Sequence, residues 1–248
     1  MRWRGHDRAV LTILLPPSEG KDPGGVDGTA WAPDQGRFGA LADERRRVAE
    51  ALAAAGGGDA KLLGAKGDLL DRAREANRAV LGAPTLKAFE RFTGVVWDAL
   101  GPHDLPAPAR RRARTSVVVV SALTGLSAWD DPVPDFRLKL SVRLDPLGRL
   151  DAFWRAPLSD VLNRHCRRRT VVDLLPIEHR AAWVPDPSRY RLLRPELRTT
   201  SGAAGGHNAK AAKGRLARAL LLGADVDEVL STFDAGDLRL DVEEIQPT

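Results

Sequence analysis

The chain has 248 residues, 43% hydrophobic and 29% charged, a balance typical of a packed globular protein and not of a disordered one. Its net charge of +5 is compatible with an anionic partner without requiring one. One cysteine, Cys166, excludes an internal disulfide framework, and no apolar run approaches the roughly 20 residues that cross a bilayer. We therefore predict a cytoplasmic protein that uses neither a membrane nor a cofactor.

The start of the chain divides into a polar segment and an apolar one. Residues 1–9 show no apolar periodicity, so we predict a disordered leader there and one domain over residues 10–248. Val10–Leu15 is rich in β-branched residues and closed by two prolines, as a buried strand would be. The loop after it, Ser18-Glu19-Gly20-Lys21, lies where α/β proteins often carry functional groups.

The next segments follow helical spacing. Apolar residues predict helices over residues 39–55 and 61–81. A short helix over residues 84–92 and another over residues 96–100 flank the turn Thr93-Gly94-Val95. This outline is that of a helix-hairpin-helix, whose turn amides can receive a DNA phosphate; the alternative is an ordinary corner between two helices.

The middle of the chain carries its densest basic cluster, residues 110–114. The cluster is either a solvated loop that enters a strand or an edge that contacts phosphates. Four consecutive valines, residues 117–120, predict a fully buried strand. The remaining predicted elements are a half-exposed strand over residues 136–140, a helix over 150–162, and strands over 170–175 and 190–197.

A cationic helix follows residue 206. At 100° per residue, Lys210, Lys213, Gly214 and Arg218 share one arc, and Leu216 lies on the opposite, apolar arc. A glycine in a helix costs about 1 kcal/mol relative to alanine, so we expect that Gly214 makes room for a packed neighbour or for an anion. The alternative is a solvated amphipathic helix whose charges serve solubility.

Two classes of function remain open. One is a DNA-binding protein that uses the basic helix, the hairpin and residues 110–114. The other is an enzyme acting on a nucleotide, nucleobase or other anionic small molecule. Its acid or base would be Glu19 or Glu178, and its anion would be held by Lys21, Arg137 and Lys210. The histidines lack partners at metal-ligand spacing, so we predict no metal site.

The order of these motifs resembles the YaaA family of peroxide stress proteins, in the subgroup that opens with Pro-Pro-Ser-Glu-Gly-Lys. No single motif is specific, but several in family order are. The resemblance covers roughly residues 10–234. The similar segments are residues 14–21, 93–100, 121–125, 136–140, 153–154 and 210–215.

The resemblance implies a single-domain mixed α/β fold, a β core wrapped by helices with a helix-hairpin-helix-like element beside a positively charged cleft. It also implies a protein of the peroxide response that binds duplex DNA with low sequence specificity and limits iron-driven oxidative damage. The anion- or DNA-binding candidates carried over by motif are Lys21, Thr93, Gly94, Val95, Arg137, Lys210, Lys213, Gly214 and Arg218.

Overall fold

The computed structural model of the protein describes residues 10–199 and 206–247. The predicted leader, residues 1–9, lies outside the described residues. The strands are β1 Val10–Leu15, β2 Thr85–Lys87, β3 Val117–Ser121, β4 Gly125–Ala128, β5 Pro132–Pro134, β6 Arg143–Leu144, β7 Gly148–Arg149, β8 Arg169–Asp173, β9 Arg191–Thr199 and β10 Leu238–Ile245.

The described helices are interspersed among these strands along the chain. They are α1 Ala42–Ala54, α2 Ala60–Leu63, α3 Gly67–Arg78, α4 Ala88–Arg91, α5 Val95–Leu100, α6 Ala107–Ser116, α7 Leu150–Cys166, α8 Ile177–Arg180, α9 Gly206–Leu222 and α10 Val226–Thr232. Short 3₁₀ turns at Gly39–Leu41 and Pro102–Asp104 precede α1 and α6. None of the described helices is long and apolar enough to cross a bilayer.

Six strands form a mostly parallel central sheet in the order β10-β9-β8-β1-β3-β4. β1 pairs in parallel with β3 and β8, and β8 with β9, while the edge strands β4 and β10 run antiparallel to their neighbours. All five residues of β3 are buried, as its run of valines predicts. Helices α6, α7 and α9 pack against the sheet, which confirms the predicted mixed α/β class.

The connections of the sheet create a crevice between β1 and β8. The chain leaves β1 toward β3 on one side, and it leaves β8 toward β9 on the other. The loops after these two adjacent parallel strands therefore diverge at their carboxyl ends. Such a switch point is where open α/β sheets bind ligands.

Two predicted helices differ from those observed. The helix predicted over residues 61–81 is broken into α2 and α3 because Gly64 adopts the left-handed conformation, with φ of +57°, and caps α2. The helix predicted over residues 84–92 begins later, because Thr85–Lys87 pairs with β5 as an antiparallel strand. That partner lies more than forty residues away, outside any local pattern.

The basic cluster of residues 110–114 lies within α6, so the first of its two alternatives, a solvated loop, is wrong. Small residues at helical spacing bury one face of α6 and favour the helix. Arg112 donates to the carbonyl oxygen of Gly223, and Arg114 pairs with Asp130 at 2.7 Å. Part of the cluster is thus engaged within the protein, and its contact with phosphates stays a prediction.

Candidate functional site

A pocket of about 90 Å³ opens beside the loop that follows β1. Its lining comes from this loop, from residues 135–137 and from one face of α3. The structure thus brings three predicted residues together, Glu19, Lys21 and Arg137. The charged side chains in the lining are Glu19, Lys21, Arg72, Asp135 and Arg137.

Lys21 is held at the end of the loop by its backbone and its amine. The backbone forms an isolated β-bridge with Phe92. The amine donates to the carbonyl oxygen of Ser18 at 2.8 Å and lies over the Phe136 ring, 4.2 Å from its centroid. The face of an aromatic ring attracts a cation, but it stabilises the charge far less than hydration by water does.

The surroundings of Lys21 favour its neutral form. Burial lowers the pKa of Lys21 to about 7. The positive charges of Arg137 and Arg91 act in the same direction, and the carboxylates of Asp135 and Glu19 act in the opposite one. This amine therefore changes its charge near neutral pH, which an exposed lysine does not do.

Glu19 is the carboxylate around which the cations gather. Its two oxygens lie 2.7 Å from Nζ of Lys139 and 3.4 Å from Nη2 of Arg137. The hydrogen bond from Lys139 holds the pKa of Glu19 below its ordinary value, and the charges of Lys139, Arg137 and Lys210 add to this effect against desolvation. The effect of Lys210 places the first turns of α9 at the same site.

We call this site the cationic cleft. It comprises Lys21, Arg72, Arg137, Lys139 and Lys210, with the carboxylates Glu19 and Asp135. Sequence reasoning missed Lys139, Arg72 and Asp135. For Lys139 a signal existed, because it lies two residues from Arg137 in an alternating segment and therefore on the same side of the chain.

Arg137 is positioned by the helical layer behind it. Its Nε donates to the carbonyl oxygen of Leu63, and its backbone exchanges two hydrogen bonds with the side-chain amide of Asn77, all at 2.9 Å. The buried Asn77 amide takes the place of a strand partner. The strand predicted over residues 136–140 is therefore wrong, although its predicted alternation of burial is confirmed.

The predicted turn between two short helices is present beside the cleft. It joins α4 to α5 through Gly94, whose φ of +90° favours glycine. The Thr93 amide donates to Oγ of Ser18 at 2.9 Å, and the Trp97 indole donates to the carbonyl oxygen of Pro16 at 3.2 Å. The turn is thus fastened to the loop after β1. Because α4 has four residues, the outline is a reduced one, and its binding of a phosphate stays a prediction.

Two members of the predicted cationic arc on α9 are engaged inside the protein. Lys213 donates to the carbonyl oxygen of Leu174 at 3.0 Å, and burial lowers the pKa of Lys213. A Cβ at Gly214 would lie 2.2 Å from the carbonyl oxygen of Val96 in α5. Gly214 therefore makes room for a packed neighbour, which was the first of the two explanations expected for this glycine.

Arg218 and Lys210 lie toward opposite ends of the arc and differ in environment. Arg218 donates to the carbonyl oxygens of Leu100 and Gly101 at 2.9 and 3.0 Å, where α5 ends. It therefore caps that helix. Lys210 is exposed and acts on Glu19 across the cleft. The arc was predicted as one surface, but Lys213, Gly214 and Arg218 contact other parts of the protein and only Lys210 belongs to the cleft.

A second charged cluster lies at the carboxyl end of β8. Asp173 is buried, accepts from Nε of Arg194 at 3.1 Å and lies 3.0 Å from Nε of Arg180. Arg180 also pairs with Glu196 of β9 at 2.9 Å. The sequence patterns did not indicate this network, because its members are spread over three elements.

Glu178, the other predicted acid or base, does not line the pocket of Lys21. Its carboxylate lies 3.7 Å from Nδ1 of His179, too far for a hydrogen bond. Burial lowers the pKa of His179 to about 4, so this ring is neutral at pH 7. Within residues 10–199 and 206–247, no group of three His, Cys, Asp or Glu side chains is placed to hold a metal ion.

Comparison with known proteins identifies the family. The family model for peroxide stress protein YaaA matches residues 11–244. The chain is 34% identical to the UPF0246 protein SCO2297 of Streptomyces coelicolor over 220 residues, which cover 85% of this chain and 83% of the relative. It is 31% identical to the UPF0246 protein Mpe_A2092 of Methylibium petroleiphilum over 173 residues, 66% of each chain. The predicted resemblance is confirmed: the chain belongs to the YaaA family of peroxide stress proteins and has a general role in the stress response.

Proposed function

We propose that this protein binds duplex DNA with little sequence preference through the cationic cleft. The observation that carries the proposal is the charge imbalance of the cleft, where four cationic side chains, joined by Lys21 when it is protonated, surround two carboxylates. Lysine and arginine side chains that neutralise phosphates supply most of the affinity of sequence-tolerant DNA binding. A phosphate backbone would compete with Glu19 for these cations.

The turn at Gly94 supports the same proposal. The loop after β1 joins the turn to the cleft through Ser18, so both belong to one continuous surface. Val95 begins α5, and the first amides of a helix have no acceptor within that helix. A phosphate beside the cleft could accept from these amides while the neighbouring phosphates meet the lysines.

A salt titration of binding to a 25-base-pair duplex tests the proposal. The double variant Lys139→Ala and Lys210→Ala should bind more weakly at low salt. The slope of log K against log salt should fall by about 1.8, since each phosphate contact contributes about 0.9. Both side chains are partly or largely exposed, so the fold should persist.

The matched control is the double variant Arg167→Ala and Arg168→Ala. It removes the same charge, but these residues precede β8 and so lie at the opposite edge of the sheet from the cleft. Its slope should equal that of the wild type. Equal losses in both double variants would mean that net charge, and not the cleft, determines binding.

We further propose that DNA binding limits iron-driven oxidative damage. A plasmid treated with Fe²⁺ and hydrogen peroxide should be nicked more slowly in the presence of the wild type. The Lys139→Ala and Lys210→Ala variant should protect less, in proportion to its lower affinity. Protection that survives the loss of DNA binding would contradict this part of the proposal.

A second candidate is an enzyme acting on a nucleotide, nucleobase or other anionic small molecule. The position of the pocket favours it, because the pocket adjoins the switch point between β1 and β8 and contains both an acid and a titratable lysine. Glu19 and Lys21 would be its reacting groups. Stabilisation against heat by a panel of nucleotides, lost in Arg137→Ala, tests this candidate without DNA.

A further inference from the structure

The amine of Lys21 differs from the other lysines of the cationic cleft in what surrounds it. Lys139 forms an ion pair with Glu19, and Lys210 is exposed to water. Lys21 instead has a backbone carbonyl and the face of Phe136 as its neighbours. No carboxylate in the described part of the chain forms an ion pair with it. Its positive charge is therefore compensated only from a distance, by the carboxylates of Asp135 and Glu19.

A buried amine without an ion-pair partner gives up its proton more readily than an exposed one. With a pKa of about 7, roughly half of the Lys21 side chains carry a neutral amine at neutral pH, compared with less than 1 in 1000 for an ordinary lysine. The neutral amine has the lone pair that a nucleophile needs. Lys21 lines the pocket, and within the described residues its amine is not held in a salt bridge.

The pocket limits what can reach this amine. Its volume of about 90 Å³ is small, so only a small portion of a ligand enters. The apolar side chains of the lining are Leu69, Ala73, Ala76 and Phe136. The exposed guanidinium of Arg72 lies in the same lining and has no ion pair in the described part of the chain. It is available to an anion without displacing Glu19.

We propose that Lys21 is a nucleophile that condenses with the carbonyl carbon of a small aldehyde or ketone bearing a phosphate or carboxylate group. Arg72 binds the anionic group, and the two or three carbons around the carbonyl occupy the pocket. This inference goes beyond both candidate functions, because neither requires a covalent bond to Lys21.

The step balances without a further reagent. The amine nitrogen attacks the carbonyl carbon, a C–N bond forms, and the carbonyl π electrons move to oxygen. The proton lost by nitrogen reaches this oxygen and gives a carbinolamine. The hydroxyl then leaves as water with a second proton from nitrogen, and the nitrogen lone pair closes the C=N bond. One water is released for each imine.

The same carbonyl chemistry has two sources. One is a free metabolite, such as a 2-oxo acid or a short phosphorylated sugar. The other is the open-chain aldehyde of an abasic site in DNA, whose flanking phosphates would supply the anion. The second source alone rests on the proposed DNA binding. Trapping with each source separately distinguishes them.

The experiment uses cyanoborohydride to reduce the imine to a stable amine at pH 7. The full-length protein is incubated with glyoxylate, with glyceraldehyde 3-phosphate, or with a duplex that contains one abasic site, and the modified lysines are mapped by peptide mass spectrometry. Lys21 should be modified at least tenfold faster than Lys87, an exposed lysine that also lies over an aromatic ring. Equal rates at Lys21 and Lys87 with all three probes would overturn the proposal.

Two variants complete the test. Lys21→Met should lose at least nine-tenths of the trapping, while Lys87→Met should keep it. If Lys21→Met does not fold, the test is the rate at which formaldehyde and cyanoborohydride methylate Lys21 of the wild type, measured as a function of pH. A half-maximal rate at Lys21 near pH 7 supports the proposal, and one near pH 10 overturns it. The salt titration with an intact duplex is independent, so failure of DNA binding and failure of the imine are told apart.

Discussion

Gly214 of α9 and Val96 of α5 are in such close contact that a single added carbon would meet a backbone oxygen. A Cβ built at Gly214 lies 2.2 Å from the Val96 carbonyl oxygen and 2.8 Å from the Cβ of Ala99. Helices approach this closely only where a side chain is missing. The contact therefore fixes α9 against the helix that follows the Gly94 turn.

Replacing Gly214 with alanine should destabilise the protein, although alanine is the better helix former by about 1 kcal/mol. Overpacking of a buried contact costs about 1–3 kcal/mol, so the free energy of unfolding in urea should fall by that amount. The matched control is Arg215→Ala, since Arg215 is the exposed neighbour on the same helix. An alanine variant as stable as the wild type would contradict the close contact.

The sequence predicts the elements whose signal is local. β1 and β3 are buried on both faces, so each contains a nearly continuous run of apolar residues. β10 gives no such signal, because it is an edge strand with charged residues at four of its eight positions. Residues 136–140 show the opposite case, a strand-like sequence pattern where the structure has no strand. Their alternation is real, but a buried asparagine replaces the strand partner.

The site shows the same limit. The loop after β1 and the motif around Arg137 could be predicted to converge, because functional groups gather at strand ends. The prediction that Lys210, Lys213, Gly214 and Arg218 lie on one side of a helix is also confirmed. A helical wheel, however, gives directions and not neighbours. It cannot show that Arg218 contacts the end of α5 while the charge of Lys210 acts on Glu19.

Asp173 should be indispensable to the fold. It is buried and paired with two guanidiniums, those of Arg180 and Arg194. Asp173→Asn keeps the shape but leaves Arg194 without its counterion and Arg180 with only Glu196, a loss of about 3–5 kcal/mol. The control is Asp160→Asn, which removes an exposed carboxylate from Arg164 and should cost less than about 1 kcal/mol. Similar urea midpoints for the two variants would contradict the role of Asp173.

Cys166 should not react with peroxide in the folded protein. Burial raises the pKa of this thiol to about 12, and the thiolate is the reactive form. At pH 8 the native protein should react with Ellman's reagent at least 100-fold more slowly than the protein unfolded in guanidinium, as follows from the roughly 1000-fold lower thiolate fraction. Because Cys166 is the only cysteine, one equivalent should react after unfolding. Rapid reaction of the native thiol would make Cys166 a candidate peroxide sensor.

The stability of the protein should fall on mild acidification because of His179. Burial lowers the pKa of His179 from 6.5 to about 4, and its Nδ1 has no hydrogen-bond partner. Below about pH 6.5 the unfolded chain therefore binds a proton that the native ring does not. The stability contributed by the neutral ring is present above this pH and is lost as the pH falls toward 4, by up to about 1.4 kcal/mol per pH unit.

Urea denaturation gives the free energy of unfolding at pH 7 and at pH 5. The difference between these two values should be smaller in His179→Gln than in the wild type, by about 1–2 kcal/mol. His103→Gln alters an exposed histidine and should keep the wild-type difference. If His179→Gln also keeps it, the ring of His179 takes up its proton equally in the native and the unfolded protein, and burial does not lower its pKa.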